Sequence, residues 1–446
     1  MRATAPSHAL VVGLGASGVG AARLLRRDGW RVTVTDRAKE SELRARLAEL
    51  PTGVLRSLGG HNPSLLAGTS LVVVSPGVPW NLPLLAEARR AGIEVIAEVE
   101  LAARAMREVP IVGVTGSNGK TTVTALLGEI VRTAGWRVGV GGNIGTAATA
   151  LAATGGWDAV VLELSSFQLE GCVTLAPRVA VLLNLSADHL DRHPTMAEYL
   201  ASKARIFAVQ RADDWAVLNA DDPAVAGVAV VARAARFSLA DRAAEAHLAG
   251  DELVLDGTPL LPRAELPLLG DHNVANALAA ALAADRLGVG RDAIAAALRA
   301  FRSLPHRHQV VAEANGVRFV DDSKGTNIGA TAAGLAGYPP GSIHLILGGL
   351  GKGQDFAELR PAVTGRVARA YLIGAAAGAI GAALAGAVPL DACGTLEAAV
   401  RRAAANAKPG EVVLLSPACA SFDQFRDYAH RGDEFARLAR ATAGGA

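Results

Sequence analysis

The stretch Ile111-Val112-Gly113-Val114-Thr115-Gly116-Ser117-Asn118-Gly119-Lys120-Thr121-Thr122 decides how this chain is read. Its β-branched start predicts a buried strand over 111–114. A glycine-rich turn follows, and Lys120 opens a helix predicted to run to about residue 134. These are the physical parts of a phosphate cradle: backbone amides for the anion, an ammonium for the β/γ charge and a hydroxyl for Mg²⁺. A strict nucleoside-triphosphate motif would have glycine at 114, where this chain has Val114. The formal pattern therefore fails by one residue although every part is present.

Toward the N-terminus, β-branched runs at 10–12, 31–35, 71–74 and 93–96 alternate with Ala/Leu/Arg-rich helical stretches, the rhythm of a parallel sheet with crossover helices. Gly13-Leu14-Gly15-Ala16-Ser17-Gly18 follows the first run, and Asp36 closes the next. That is a dinucleotide fingerprint in its proper context, with glycines letting a pyrophosphate approach a helix N-terminus. It does not name the ligand, because NAD and nucleotide-sugars share a pyrophosphate. Ser75-Pro76-Gly77 lies at the same carboxyl edge.

Toward the C-terminus, runs at 138–140, 159–164, 179–184 and 216–219 predict a second α/β layer. Glu163 ends one run and His189 follows another, so both fall at the edge that carries the glycine-rich turn, as Mg²⁺ ligands would. Residues 235–269 read as a small antiparallel appendage, and helices return over 273–302. A hairpin is expected around Asn315-Gly316. A third α/β unit follows, with strands at 343–347, 370–373 and 412–415 and a terminal helix from about 422 to 441. Past Leu304, polar residues gather after apolar runs: His306 and Arg307, the stretch from Asp321 to Asn327, Lys352, and 416–424. Such loops suit an anionic substrate.

The chain has 446 residues, a length for two to four domains. Lys plus Arg number 44 against 42 Asp plus Glu, and aromatic residues are 4%. Neither a basic excess nor a set of stacking platforms marks a nucleic-acid binder. Cys172, Cys393 and Cys419 are too scattered for a metal pair or a disulfide framework, and a reducing cytoplasm is expected. No signal peptide is read at the start. The uncharged segment 371–390 has the length of a membrane span but consists mostly of Ala and Gly, and is read as a strand–helix unit. Two nucleotide signals in one chain imply ATP plus a second nucleotide-bearing substrate. An NAD-dependent dehydrogenase would leave Lys120 and Glu163 idle, and a non-catalytic nucleotide sensor would bind ATP without turnover.

In order along the whole chain, these motifs resemble the Mur ligases. Gly142-Asn143-Ile144-Gly145, Glu163-Leu164-Ser165-Ser166, Asp188-His189-Leu190-Asp191, Leu304-Pro305-His306-Arg307, Asp322-Ser323-Lys324-Gly325-Thr326-Asn327 and Ser416-Pro417-Ala418-Cys419-Ala420-Ser421 carry the likeness. Several of these are shared, more loosely, with folylpolyglutamate synthetases. The last stretch and the N-terminal fingerprint are similar to members that add D-glutamate, and the Asp-Asn-Pro-Arg signature of diamino-acid-adding members is absent. The resemblance implies an α/β fold of three domains: a Rossmann-like unit over 1–105 for the UDP group, a central P-loop ATPase unit over 106–303 with a mostly parallel sheet, and a Rossmann-like unit over 304–446 for the amino acid. It implies an ATP- and Mg²⁺-dependent ligase, with two metal ions, that joins D-glutamate to UDP-N-acetylmuramoyl-L-alanine through an acyl phosphate. A cytoplasmic monomer with only small-molecule partners is the expectation.

Carried over by motif, Lys120, His189, Lys203 and Lys324 would be catalytic. Gly116, Ser117, Asn118, Gly119, Lys120, Thr121, Thr122, Asn276, Arg307 and Asp322 would bind ATP. Gly15, Ala16, Ser17, Asp36, Arg37, Ser75, Asn143 and His189 would hold the UDP substrate. Thr326, Lys352, Ser421 and Tyr428 would hold D-glutamate. Thr121, Glu163, His189 and Lys203 would serve the metals, Lys203 as a carbamate. The chain departs from the family with Gln309 in place of an acid, Gly351 in place of Asp before Lys352, and few polar residues over 371–390.

Overall fold

The computed structural model describes residues 7–188, 192–268 and 270–444. Its strands fall into three sheets, each with helices packed on it, so the class is α/β with three units. The first sheet holds β1 (His8–Val12), β2 (Arg31–Asp36), β3 (Leu55–Leu58), β4 (Leu71–Val74) and β5 (Glu94–Ala97). Their order is β3-β2-β1-β4-β5, all parallel.

The second sheet comprises β6 (Ile111–Thr115), β7 (Val138–Gly142), β8 (Ala159–Glu163), β9 (Val179–Leu182), β10 (Trp215–Asn219), β11 (Arg233–Ser238), β12 (Ala246–Ala249), β13 (Glu252–Leu255) and β14 (Thr258–Pro262). It is ordered β14-β13-β12-β11-β10-β9-β6-β8-β7. Here the expected antiparallel appendage over 235–269 is corrected. β11 and β12 continue the parallel sheet beyond β10, and only the pairs β12/β13 and β13/β14 are antiparallel. The turn residues Asp256 and Gly257 close a hairpin that extends the sheet edge, with Pro259 and Pro262 on the outermost strand, the place in a sheet that tolerates proline.

The third sheet contains β15 (Gln309–Ala314), β16 (Val317–Asp321), β17 (Ile343–Gly348), β18 (Val367–Ile373), β19 (Leu390–Gly394) and β20 (Val412–Leu415), in the order β15-β16-β20-β17-β18-β19. Only the β15/β16 hairpin is antiparallel. Asn315 and Gly316 both have positive φ there, the backbone of the tight hairpin turn that their sequence implies. Residues 371–390 form the end of β18 and the helix Ala377–Leu384, and no described helix is long and apolar enough to cross a membrane. The terminal helix begins at Tyr428 and not near 422; Phe422 is exposed, and the residues between form turns.

The helix Lys120–Thr133 shows why these elements pack. Val123, Leu126, Leu127, Ile130 and Val131 form one apolar stripe, fully buried on the second sheet beside Val112 and Val114. Each such side chain contributes about 1.5–3 kcal/mol of burial. The first unit is fixed to the second by two carboxylates of the helix Glu98–Ala105. Glu98 Oε1 accepts from Thr149 N and Oγ1 at 2.7 and 2.6 Å. Glu100 accepts from the backbone amides of Val173, Thr174 and Leu175 and from Thr174 Oγ1. Trp80 Nε1 adds a bond to Phe167 O at 2.9 Å.

Candidate active site

β6 lies between β9 and β8, where the direction of strand addition reverses, and β1 occupies the same position in the first sheet. Ligands of open parallel sheets bind beyond the carboxyl ends of such strands. Val114 is a buried strand residue paired with Glu163 and Val181, so the site where the strict motif has glycine lies inside the sheet. The turn starts at Gly116. Gly119 has φ of 82°, and a Cβ there would strike Asn276 Oδ1, which restricts the position to glycine.

Lys120 Nζ folds back on this turn and donates to Gly116 O and Ser117 O, both at 2.8 Å. Burial lowers its pKa against the pull of Glu163 and Asp188. Lys203, also buried, donates from Nζ to Gly116 O at 2.7 Å and stands 4.3 Å over the Tyr199 ring. Burial and then the neighbouring Lys120 hold its pKa well below that of an ordinary lysine, favouring the neutral amine.

Thr121 Oγ1 donates to Glu163 Oε2 at 2.7 Å, and Asn143 Nδ2 to Glu163 Oε1 at 2.8 Å. A hydroxyl and a carboxylate side by side are hard oxygen donors that fit Mg²⁺. Among the described residues no three His, Cys, Asp or Glu side chains converge into an all-protein cage. His189 lies outside the described residues.

The third unit faces this edge with loops after β16, β17 and β20. His306 Nδ1 lies 2.7 Å from Asp321 Oδ2, and His308 Nδ1 lies 3.1 Å from Asp322 Oδ1, so successive aspartates clasp alternate residues of the linker. Arg307, between them, lines the cavity instead, and burial lowers its pKa. Lys324 Nζ stands 4.0 Å over the Tyr428 ring, and burial, then Arg307, pushes its pKa down to about 8.

Between the second and third units lies a cavity of about 590 Å³. It brings together Ser117, Asn118, Gly119, Lys120, Thr121, Thr122, Asn143, Glu163, Asn276, Arg307, Asp322, Lys324, Thr326 and Lys352. Gly116 and Lys203 sit outside its lining, joined by their own hydrogen bond, and Tyr428 reaches it through Lys324. Ser421 is buried outside the lining. Gly15, Ala16, Ser17, Asp36, Arg37 and Ser75 are also outside it, at the carboxyl edge of the first sheet. Gly15, Ala16 and Arg37 are exposed there. Asp36 braces the backbone, accepting from Leu14 N at 2.7 Å and Ala38 N at 2.9 Å, and Ser75 Oγ donates to Gly13 O at 2.8 Å.

Four further residues have clear places at the site. Asn327 Nδ2 donates to Asn118 Oδ1 and Asp188 Oδ2, both at 3.1 Å, and Lys352 Nζ lies 3.5 Å from Asp188 Oδ1. Asn327 and Asp188 stand inside motifs quoted above, but only the cross-unit geometry gives them a job. His308 belongs to the clasp. Arg431 is fully buried and donates to Ser323 Oγ, Ser323 O and Cys419 O, tying two site loops to the last helix; no local motif announced it.

The departures from the family pattern have local explanations. Gln309 Oε1 accepts from His306 N at 3.2 Å, a linker contact that needs no charge. A Cβ at Gly351 would meet its neighbours at ordinary contact distances of 3.8 Å and beyond. In the Ala/Gly-rich segment, Asp423 Oδ2 accepts from Ala375 N, a carboxylate supplied from another loop.

Three family descriptions match successive stretches of the chain: the Mur ligase MurD-like N-terminal domain over 7–97, the Mur ligase middle domain over 114–284, and the Mur ligase glutamate ligase domain over 306–419. UDP-N-acetylmuramoylalanine–D-glutamate ligases from Anaeromyxobacter dehalogenans and Solibacter usitatus are each 48% identical to it, over 97% of both chains. The one from Geobacter metallireducens is 45% identical, over 98% of both. In fold the chain is similar to MurF ligase from Thermotoga maritima, solved with ADP, with a TM-score of 0.65 at 17% identity over 97% of this chain and 98% of that one. UDP-N-acetylmuramate–alanine ligase MurC from the same organism gives 0.61 at 17%, over 98% and 99%.

Proposed function

Because this chain belongs to the Mur ligase family, we infer that it catalyses the reaction for which its near relatives are named: the ATP-dependent joining of D-glutamate to UDP-N-acetylmuramoyl-L-alanine, a step of peptidoglycan precursor synthesis. The observation that carries this reading is one cavity in which Lys120, Thr121 and Glu163 of the second unit face Arg307, Lys324, Thr326 and Lys352 of the third. A phosphate cradle on one wall and a set of cations and hydroxyls on the other suit a phosphoryl transfer followed by capture of an amino acid.

In the proposed sequence the alanyl carboxylate takes the γ-phosphoryl group of ATP, giving an acyl phosphate and ADP. The amine of D-glutamate attacks the activated carbonyl, and inorganic phosphate leaves from the tetrahedral intermediate. Carboxylate and triphosphate repel, so the first step needs positive charge: Lys120 leaves its backbone acceptors for the β/γ phosphates, and Arg307 and Lys324 face the transferring group. Asp322 would repel phosphates, so its carboxylate suits the ribose hydroxyls. Asn143, bound to Glu163 at the cavity wall, stands on the muramyl-peptide side. Thr326 and Lys352 receive D-glutamate, with Ser421 and Tyr428 behind them. Gly15, Ala16, Ser17, Asp36, Arg37 and Ser75 flank the UDP group.

Thr121 and Glu163 would hold Mg²⁺, with His189 and Lys203 completing the metal sites, and the ions would neutralise charge on the phosphates. Lys203 is suited to carbamylation. Its amine is driven toward the neutral form, and only that form adds CO₂, releasing a proton as the carbamate forms. The enzyme would act in the cytoplasm, where its nucleotide substrates are found.

Isotope transfer tests the reaction course. With ¹⁸O in the alanyl carboxylate, one labelled oxygen should appear in the released phosphate. Unlabelled phosphate would exclude the acyl phosphate.

A further inference from the structure

Beyond the residues assigned above, we propose that His308 is a positioning residue that fixes the Asp322 carboxylate for the ribose of the bound nucleotide, and so sets the preference for ATP over its deoxyribose analogues. The proposal rests on the nucleotide reading of the cavity.

Asp322 is held from two sides. His308 Nδ1 lies 3.1 Å from Oδ1, while Ser416 Oγ donates to Oδ2 at 2.7 Å. Its own amide donates to Leu415 O at 2.8 Å, pinning the backbone. Each carboxylate oxygen keeps a lone-pair direction for one more donor, and Asp322, His308 and Arg307 all line the cavity. A neutral hydroxyl donor fits such an acceptor, where a phosphate does not.

The chain adopts costly geometry to put an imidazole here. His308 has φ of 49° and is buried, and left-handed backbone is unfavourable for a residue with a Cβ. A Cβ at Gly334 would fall on the His308 ring, so the helix Ile328–Leu335 leaves a gap of the right shape. Tyr338 stacks on the same ring at 6.1 Å between centroids, and the His272 ring stands tilted against it at 5.4 Å. The charges facing His308 are consistent with its task. Burial opposes its protonation, but Asp322, with Asp321 behind it, outweighs burial and raises its pKa. Burial, and then His308, pushes His272 down to about 4, so that neighbour stays neutral. A ring N–H on the Asp322 carboxylate gives the strong, charge-assisted form of the bond.

The test compares ATP, 2′-deoxy-ATP and 3′-deoxy-ATP as substrates. Wild type should favour ATP over at least one deoxy analogue by about tenfold in KM, the scale of one hydrogen bond to a charged group. His308→Leu should raise KM for ATP about tenfold, abolish that preference, and leave kcat and KM for D-glutamate within about twofold. His308→Asn, whose amide can still donate, should keep most of the preference. Gly334→Ala, which crowds the ring without removing it, should behave as His308→Leu and stands in if that variant does not fold. A preference unchanged in His308→Leu, or equal losses for all three nucleotides, would overturn the proposal. Titration with ADP, 2′-deoxy-ADP and 3′-deoxy-ADP reads the same preference without turnover, so a lack of ligase activity would count against the proposed function alone.

Discussion

Lys352 and Asp188 meet at 3.5 Å across the boundary between the second and third units, so an ammonium expected to receive an amino-acid carboxylate is already engaged by a carboxylate of the protein. The pair is partly exposed, and alone is worth about 1 kcal/mol or less. Asn327, with bonds to Asn118 and Asp188, is the stronger cross-unit link. Asn327→Ala should let the third unit swing away in the ligand-free protein, seen as a larger radius of gyration by small-angle scattering and reversed by ATP with D-glutamate. An unchanged radius would show that other contacts hold the units together.

Lys120→Ala removes the ammonium that bonds Gly116 and Ser117 and would neutralise the transferred phosphoryl group. Turnover should fall by at least about 10³-fold, as for other preorganised charge at a transition state. Binding of UDP-N-acetylmuramoyl-L-alanine, measured by calorimetry, should change little, because its UDP contacts are proposed to lie on the first sheet. Loss of that binding would mean the two sites are not separate.

Lys324, proposed to face the transferring phosphoryl group, works against the fold. Its pKa is about 8 in the folded chain, and the unfolded chain keeps its proton to about 10.5. The unfolded state therefore binds more protons between these values, and stability rises with pH across that window. Below pH 8 the buried charge costs up to about 3 kcal/mol, since each pH unit across that window is worth about 1.4 kcal/mol. Lys324→Met should raise the melting temperature at pH 7, with the gain shrinking from pH 8 to 10.5, while turnover is lost. A lower melting temperature at pH 7 would refute the assignment.

Glu100 works the other way. Hydrogen bonds from Thr174 and Arg104 outweigh burial and hold its pKa below the usual glutamate value. Its contribution is present above the unfolded pKa of about 4.5 and fades as pH falls through the lower folded value. Glu100→Ala leaves the buried Leu175 amide and the part-buried amides of Val173 and Thr174 without their acceptor, with Arg104 held by Glu94 alone, and should cost about 1–3 kcal/mol at pH 7. Thermal melts at pH 7 and pH 3 should show that cost shrinking in acid. Equal loss at both would locate the effect in packing.

Much of the α/β layering was legible because buried parallel strands are short apolar runs, as at Leu71–Val74 and Val412–Leu415. β3 was not, because Leu55 and Arg56 are exposed on a sheet edge and carry no apolar run. The strand pair β11/β12 carries no local signal of its direction for a related reason: turn residues mark hairpins, but nothing local says that β11 runs parallel to β10. At the site, Lys120, Thr121 and Glu163 followed from strand ends and a glycine turn. Lys203 is a lysine in the last turn of its helix, and what sets it apart is the burial that other elements impose, so the residues alone could not select it. His308 and Arg431 act through partners 14 and 108 residues away in sequence, Asp322 for one and Ser323 for the other, which is tertiary information.

The most direct test is phosphate release by the purified protein with ATP, Mg²⁺ and UDP-N-acetylmuramoyl-L-alanine over a panel of amino acids that includes D- and L-glutamate. Release with D-glutamate alone, abolished by Lys120→Ala, is the expected result. Release with a different amino acid, or none with any, would contradict the D-glutamate ligase assignment.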